Sequence, residues 1–236
     1  MPFLASTGGS LAYGRPAKAA ASGGTGGSLF FSGLSSPLAY LSYANNSAFN
    51  FAINSSFTIE WFQYMQTGNS FPRVFSRGSY GAVAIAVSIE SGTFYLWVNN
   101  TFIFSSSLAN YLNQWVHFAI CRSSGTIRVF QNGTQIGSSI SNSAAITSAT
   151  YTLNIGNEST VSSGAAFKGY ITNFRWNTTA LYTGNFTRPS APLTAVAGTV
   201  LLLLATNTGT ATNDSSGNGR TVTNNNVTWN TLNPFP

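Results

Sequence analysis

An all-β fold, a sandwich or a barrel of antiparallel strands, is what this sequence predicts. Short apolar or alternating runs recur from Ser28 to Trp229 and are punctuated by Gly, Asn and Ser turn signals, the spacing expected of a meandering sheet protein. No window carries an apolar stripe at helical period. Aromatic residues make up 14% and apolar residues 43% of the 236-residue chain, enough for a real core, while charged residues make up only 6% against about 25% in an ordinary globular domain. The surface must therefore be polar but mostly uncharged.

The elements follow in chain order. Residues 1–28 are rich in Gly, Ala and Ser and end in GGTGGS, a composition that behaves as flexible coil; they read as an N-terminal arm able to order against a neighbouring subunit. Residues 29–236 read as one domain, because sandwiches and barrels of about 200 to 250 residues fold as single units. Strands are expected at 28–32, 39–43, 57–65, 73–77, 82–90, 93–99 and 101–105. Further strands are expected at 114–122, 126–132, 134–140, 151–156, 166–176, 199–205 and 220–229. The clearest unit is QWVHFAICRSSGTIRVFQNGTQIG, Gln114 to Gly137. There Val116, Phe118 and Ile120 alternate with Trp115, His117, Ala119 and Cys121, so the two sets point to opposite faces. Asn132-Gly133 is a strong hairpin signal. Phe94, Leu96 and Val98 alternate with Thr93, Tyr95 and Trp97 in the same way, leaving aromatics on the second face.

Composition excludes several classes. The longest aliphatic run, Val200 to Ala205, falls far short of the roughly 18 residues a membrane helix needs. The net charge of +6 comes from ten scattered basic residues, not from the stripe or patch of a nucleic-acid binder. Cys121 is alone and cannot form an intrachain disulfide. The first 21 residues carry no uninterrupted apolar core of a secretory signal.

Four stretches carry a family resemblance over Ser28 to Trp229. They are the segment from Ser28 to Met65 containing SSFTIEWFQYM, the Gln114 to Gly137 meander, the pair LNIGNES and FKGYITNFRWNTTALYTGNFTRPSAPLTAV, and LLLLATNTGTATNDSSGNGRTV. Their order and spacing resemble the concanavalin A-like lectin/glucanase superfamily, laminin G-like branch. GYITNFRWNTTALYTGNFTRPSAPL, with the leader before it, is similar to laminin G-like modules of bacteriophage and large-virus structural proteins. The resemblance implies a jelly-roll antiparallel β-sandwich. It also implies a non-enzymatic virion structural or surface protein, such as a capsid decoration, minor capsid or fibre component, with a stand-alone carbohydrate-binding lectin module as the alternative. Its partners would be other structural subunits, a second copy of itself, or glycans, and its place the virion or the outer surface of an assembly.

Chemistry is tightly bounded. The chain has four acidic residues and one histidine, whereas glycoside hydrolysis needs two carboxylates flanking the bond. Here the acids are dispersed, and the strand Glu60-Trp61-Phe62-Gln63-Tyr64 lacks the paired carboxylates of a glucanase. The resemblance implies structural roles for Glu60 and for His117. His117 and Asp214 lack the nucleophile elbow of a Ser-His-Asp hydrolase. Zinc needs three or four His, Cys or acid ligands together, which one His, one Cys and four dispersed acids are too sparse to provide, and no cofactor is expected. Asp214, Ser216 and Asn218 begin like a calcium loop, but Asn225 stands where a bidentate Glu is needed, so the stretch reads as a turn with Asp214 bonding its own backbone. Glycan binding would draw on aromatic platforms, for which Tyr95, Trp97, Trp176 and Tyr182 are the candidates.

Overall fold

The computed structural model describes residues 26–235, so the expected arm lies almost wholly outside the described residues. Fifteen strands follow: β1 (Ser28–Ser32), β2 (Tyr40–Tyr43), β3 (Phe57–Met65), β4 (Arg73–Ser79), β5 (Ala82–Glu90), β6 (Thr93–Val98), β7 (Thr101–Ser107), β8 (Trp115–Ser123), β9 (Thr126–Gln131), β10 (Thr134–Ser141), β11 (Leu153–Ile155), β12 (Lys168–Asn177), β13 (Thr199–Leu203), β14 (Val222–Asn225) and β15 (Thr228–Asn230). The only other regular element among the described residues is a single 3-10 turn at Ser47–Phe49.

The strands form two antiparallel sheets packed face to face, a jelly-roll sandwich. One sheet has the order β10-β9-β8-β3-β12-β1-β15 with β13 beside β12; the other has the order β14-β2-β11-β4-β5-β6-β7. The core lies between them and is dominated by rings. Trp61 packs on Phe75, Phe94, Phe118 and Phe174 with centroids 5.5 to 6.5 Å apart, and Phe51 is stacked between Phe57 at 4.2 Å and Trp176 at 5.2 Å. The alternation expected in β8 is present, with Val116, Phe118 and Ile120 in the core and His117, Ala119 and Cys121 packed on the opposite face.

Two local irregularities change what the alternation predicts. The stretch 220–229, expected as one strand, is two: β14 pairs with β2 in one sheet and β15 with β1 in the other. The chain turns the corner at Asn226, which has φ 56° and donates to Leu38 O at 3.0 Å; Asn tolerates that left-handed conformation better than most residues. In β12 the register against β3 shifts between Thr172 and Arg175, and Asn173 sits at φ 54°. Such a bulge adds one residue and inverts the facing of everything after it. Tyr170 faces outward, but Phe174 and Trp176, which would share its face in a regular strand, enter the core.

The outer face of the β3–β8–β12 sheet is sealed by residues 178–198. Thr58 in β3 takes a bond from Leu181 N and gives one to Thr179 O, both at 2.9 Å. Asn173 accepts from Leu193 N at 2.7 Å, and Arg175 donates to Thr194 O at 2.7 Å. Beneath that cover Glu60 is fully buried. It accepts from Arg175 Nε at 2.9 Å and from Arg175 Nη2, from His117 Nε2 at 3.0 Å and from the Tyr182 hydroxyl at 3.0 Å. Burial alone would raise its pKa, but the His117 bond, the Arg175 charge and the remaining contacts together hold it below the usual carboxylate range.

Candidate functional site

With one outer face sealed by residues 178–198, the opposite sheet carries an accessible cavity, about 430 Å³ in volume, above β4, β5 and β6. Its floor and walls are Trp97, Arg73 and Glu90, with Phe71, Tyr80 and Glu158 around the mouth. Trp97 reaches this face because β6 alternates: Phe94, Leu96 and Val98 are buried in the core, while Tyr95 and Trp97 are half-buried on the outside. The small residues under the indole, Ala86 opposite Trp97 and Ser76 opposite Ala86, leave room for it.

The polar groups are fixed. Arg73 Nη1 lies 3.3 Å from Glu90 Oε1, and Ser88 Oγ donates to the same oxygen at 2.6 Å. The Arg73 guanidinium lies 5.9 Å from the Trp97 ring centre, a cation-π distance. Glu158 enters from the loop after β11 and accepts from Tyr80 N at 3.2 Å. That loop is pinned at several points. Asn157 donates to Ser162 O at 3.0 Å and accepts from Ser162 N at 3.0 Å. Asn154 donates to Glu158 O at 2.8 Å, and Ser159 N donates to Gly78 O at 3.1 Å. Tyr80, 80% exposed, sits at the tip of the β4–β5 hairpin. Gly78 allows that hairpin: at φ 112° it brings β4 so close to β5 that a Cβ would collide with the Ala82 carbonyl oxygen.

The site is thus largely preformed, with aromatic surface, two carboxylates and one guanidinium. Two of the chain's four acids line one cavity. They are distant in sequence, and the expectation that the acids are dispersed does not hold in space. The indole Nε1 of Trp97 is buried without a hydrogen-bond partner among the described residues.

The four sequence candidates part company. Tyr95 and Trp97 share this face, and Phe102 of β7 joins them at 5.4 and 5.7 Å. Trp176 is fully buried in the core, so neither side of its indole can serve as a platform. Tyr182 lies over the other sheet, stacked on Phe186 at 3.6 Å and bonded to Glu60, with its hydroxyl held protonated by burial and by the Glu60 charge. The calcium candidates form a turn. Asp214 accepts from Leu202 N, Ser216 N, Ser216 Oγ and Arg220 N at 2.8 to 3.1 Å, and Asn218 donates to Thr199 O at 2.9 Å. Arg73, Glu90, Glu158, Phe71, Tyr80 and Phe102 are site residues that sequence reasoning missed; the exposed tyrosine beside Gly81 in a hairpin tip was the one local signal for them.

A family model described as concanavalin A-like lectin/glucanases superfamily, laminin G type, matches residues 39–183. No curated protein matches the sequence. Among solved structures, a native heptameric SAP-like pentraxin from Limulus polyphemus superposes with a TM-score of 0.60 at 17% identity, over 89% of this chain and 97% of that one. A candidate carbohydrate binding protein from Bacteroides ovatus superposes with a TM-score of 0.67 at 16% identity, over 90% of this chain and 62% of that one.

Proposed function

The chain belongs to the concanavalin A-like lectin/glucanases superfamily, and from that premise we propose that it is a non-enzymatic carbohydrate-binding module whose binding surface is the Trp97 cavity. The observation that carries this reading is the pairing of an aromatic platform with a fixed ion pair at its edge: Trp97 beneath the Arg73 guanidinium, and Arg73 on Glu90. A pyranose has apolar C–H faces and a rim of hydroxyls. An indole accommodates the first, while carboxylate acceptors and a guanidinium donor accommodate the second. The pinned loop after β11 adds to the reading, because a site that is already ordered loses less entropy on binding.

The non-enzymatic part rests on where the remaining chemistry lies. His117 is buried on the outer face of the other sheet beneath the 178–198 segment, and Asp214 is spent on a backbone turn, so neither reaches the cavity. Glu90 is tied to Ser88 and Arg73. A glycan array probed with the full chain tests the reading: saturable binding that is lost in Trp97→Ala and weakened in Glu90→Gln supports it, and equal binding by all three proteins rejects it.

A second reading, a structural component of a virion or similar particle, is favoured by one observation. The edge strands β7 (TFIFSSS) and β10 (TQIGSSIS) carry no charged residue, whereas exposed edges are usually guarded by charge or proline. Such edges suit lateral contact with further subunits. Co-purification with intact particles at fixed copy number, abolished by Ser105→Lys, would support that role; a monodisperse monomer absent from particles would reject it.

A further inference from the structure

A second cavity, about 290 Å³, opens between the turn after β2 and the turn at residues 214–221. Tyr43 lines it. This side chain is 1% exposed, and its hydroxyl has no hydrogen-bond partner among the described residues. Buried polar groups are almost always satisfied, so an orphan phenol in a cavity wall marks a partner still to come. Burial first, and the Asp214 charge second, raise the Tyr43 pKa well above its ordinary value, so the hydroxyl keeps its proton and can donate.

Two guanidinium groups lie at this cavity and beside it. Arg220 and Arg77 flank the Phe49 ring, with guanidinium carbons 5.0 and 6.0 Å from its centre. Arg77 is fully buried and bonds only neutral groups: Phe49 O at 2.8 Å, Asn50 Oδ1 at 2.7 Å, Asn45 Oδ1 at 2.9 Å and Ser148 O at 3.3 Å. Arg220, which lines the cavity, donates from Nε to Val200 O at 2.7 Å, and its two terminal nitrogens meet no acceptor among the described residues. Neither arginine makes an ion pair there. Asp214, whose charge reaches Tyr43, lines the adjacent cavity instead, and both its oxygens are occupied by the turn.

We propose that this cavity binds a compact oxyanion, a carboxylate, phosphate or sulfate group, held between the Arg220 guanidinium and the Tyr43 hydroxyl. A guanidinium fork matches the paired oxygens of such a group, and the phenol supplies a further donor in a desolvated setting. The site is separate from the Trp97 surface, so it would let the chain hold an anionic group independently of any neutral sugar.

The test is calorimetric titration of the full chain at constant ionic strength with sodium sulfate, sodium phosphate and glucuronate. Saturable binding of at least one is expected, weaker by about tenfold in Tyr43→Phe and by about tenfold to a hundredfold in Arg220→Gln. Tyr43→Phe should also leave the melting temperature unchanged or raise it, because the lost hydroxyl bonds nothing in the free protein; a purely structural tyrosine would lower it. Trp97→Ala should bind the anion normally, whatever it does to glycans. Preference for glucuronate points to a sugar-borne anion, and preference for the inorganic ions to a free one. Binding of none of the three, or equal binding by wild type, Tyr43→Phe and Arg220→Gln, overturns the proposal.

Discussion

The Tyr182 hydroxyl donates to Oε2 of Glu60 across 3.0 Å, on a sheet face where Oε1 of the same carboxylate is held by Arg175. This contact fastens the 178–198 segment over β3, β8 and β12 and explains why one of the chain's few acids is buried. It also gives Tyr182 a structural task that its sequence context did not reveal. Removing only the hydroxyl, as in Tyr182→Phe, keeps the stack on Phe186 and should cost about 1 to 3 kcal/mol. Urea unfolding measures it, and an unchanged midpoint would show that the segment is held by its apolar contacts alone.

Glu60→Gln removes the charge that Arg175 and His117 surround. Breaking a buried pair from one side costs about 3 to 5 kcal/mol, so the variant should melt well below the wild type or fail to fold. Glu60→Asp, which keeps the charge but shortens its reach, should fall between the two.

The same carboxylate sets an acid limit. Its folded pKa lies below the ordinary value of 4.5, so its ionised form contributes stability that is fully present above about pH 4.5. That contribution is lost as pH falls through the lower folded value. Stability measured from pH 6 downward should therefore decline below about pH 4.5, and the decline should be shallower in any folded Glu60 variant. Equal slopes in the two proteins would assign acid sensitivity to other groups.

Trp176→Ala and Trp97→Ala should behave oppositely. The first empties a core position stacked on Phe51 and should cost about 3 to 5 kcal/mol in stability. The second removes a half-buried outer side chain, should melt close to wild type, and should lose glycan binding by about tenfold or more. Paired thermal melts and glycan titrations distinguish the cases.

Arg122 shows how a chain with few acids satisfies a buried cation. It donates to Ser55 O at 2.6 Å, Ala144 O at 2.6 Å and Ala52 O at 2.9 Å, and lies 5.0 Å from the Phe57 ring; burial lowers its pKa. Arg122→Lys keeps the charge but cannot span three carbonyls from one planar fork. It should destabilise by about 2 kcal/mol and raise hydrogen exchange in residues 52–55 and 142–146.

Alternation in β6 and β8 with the recurring turn signals was enough to assign an all-β fold, to put Phe118 on one face of its strand and to leave Tyr95 and Trp97 on the second face of theirs, because a strand's facing is a local property with a period of two. The run at 199–205 was likewise readable as a strand. Paucity of charge fixed the kind of surface the protein has. What local pattern could not supply was the consequence of one extra residue. The bulge at Asn173 turned Trp176 from an outward candidate into a core residue, and its position depends on pairing with β3, a hundred residues earlier in the chain. Nor could spacing show that Glu90, Glu158 and Arg73 converge on Trp97, or that Tyr43 and Arg220 share a second cavity. Those groups meet only because β2, β4, β5, β11 and the late turns are brought together by long-range pairing and loop closure, and side chains from distant segments acquire a shared environment only once the sheets are packed.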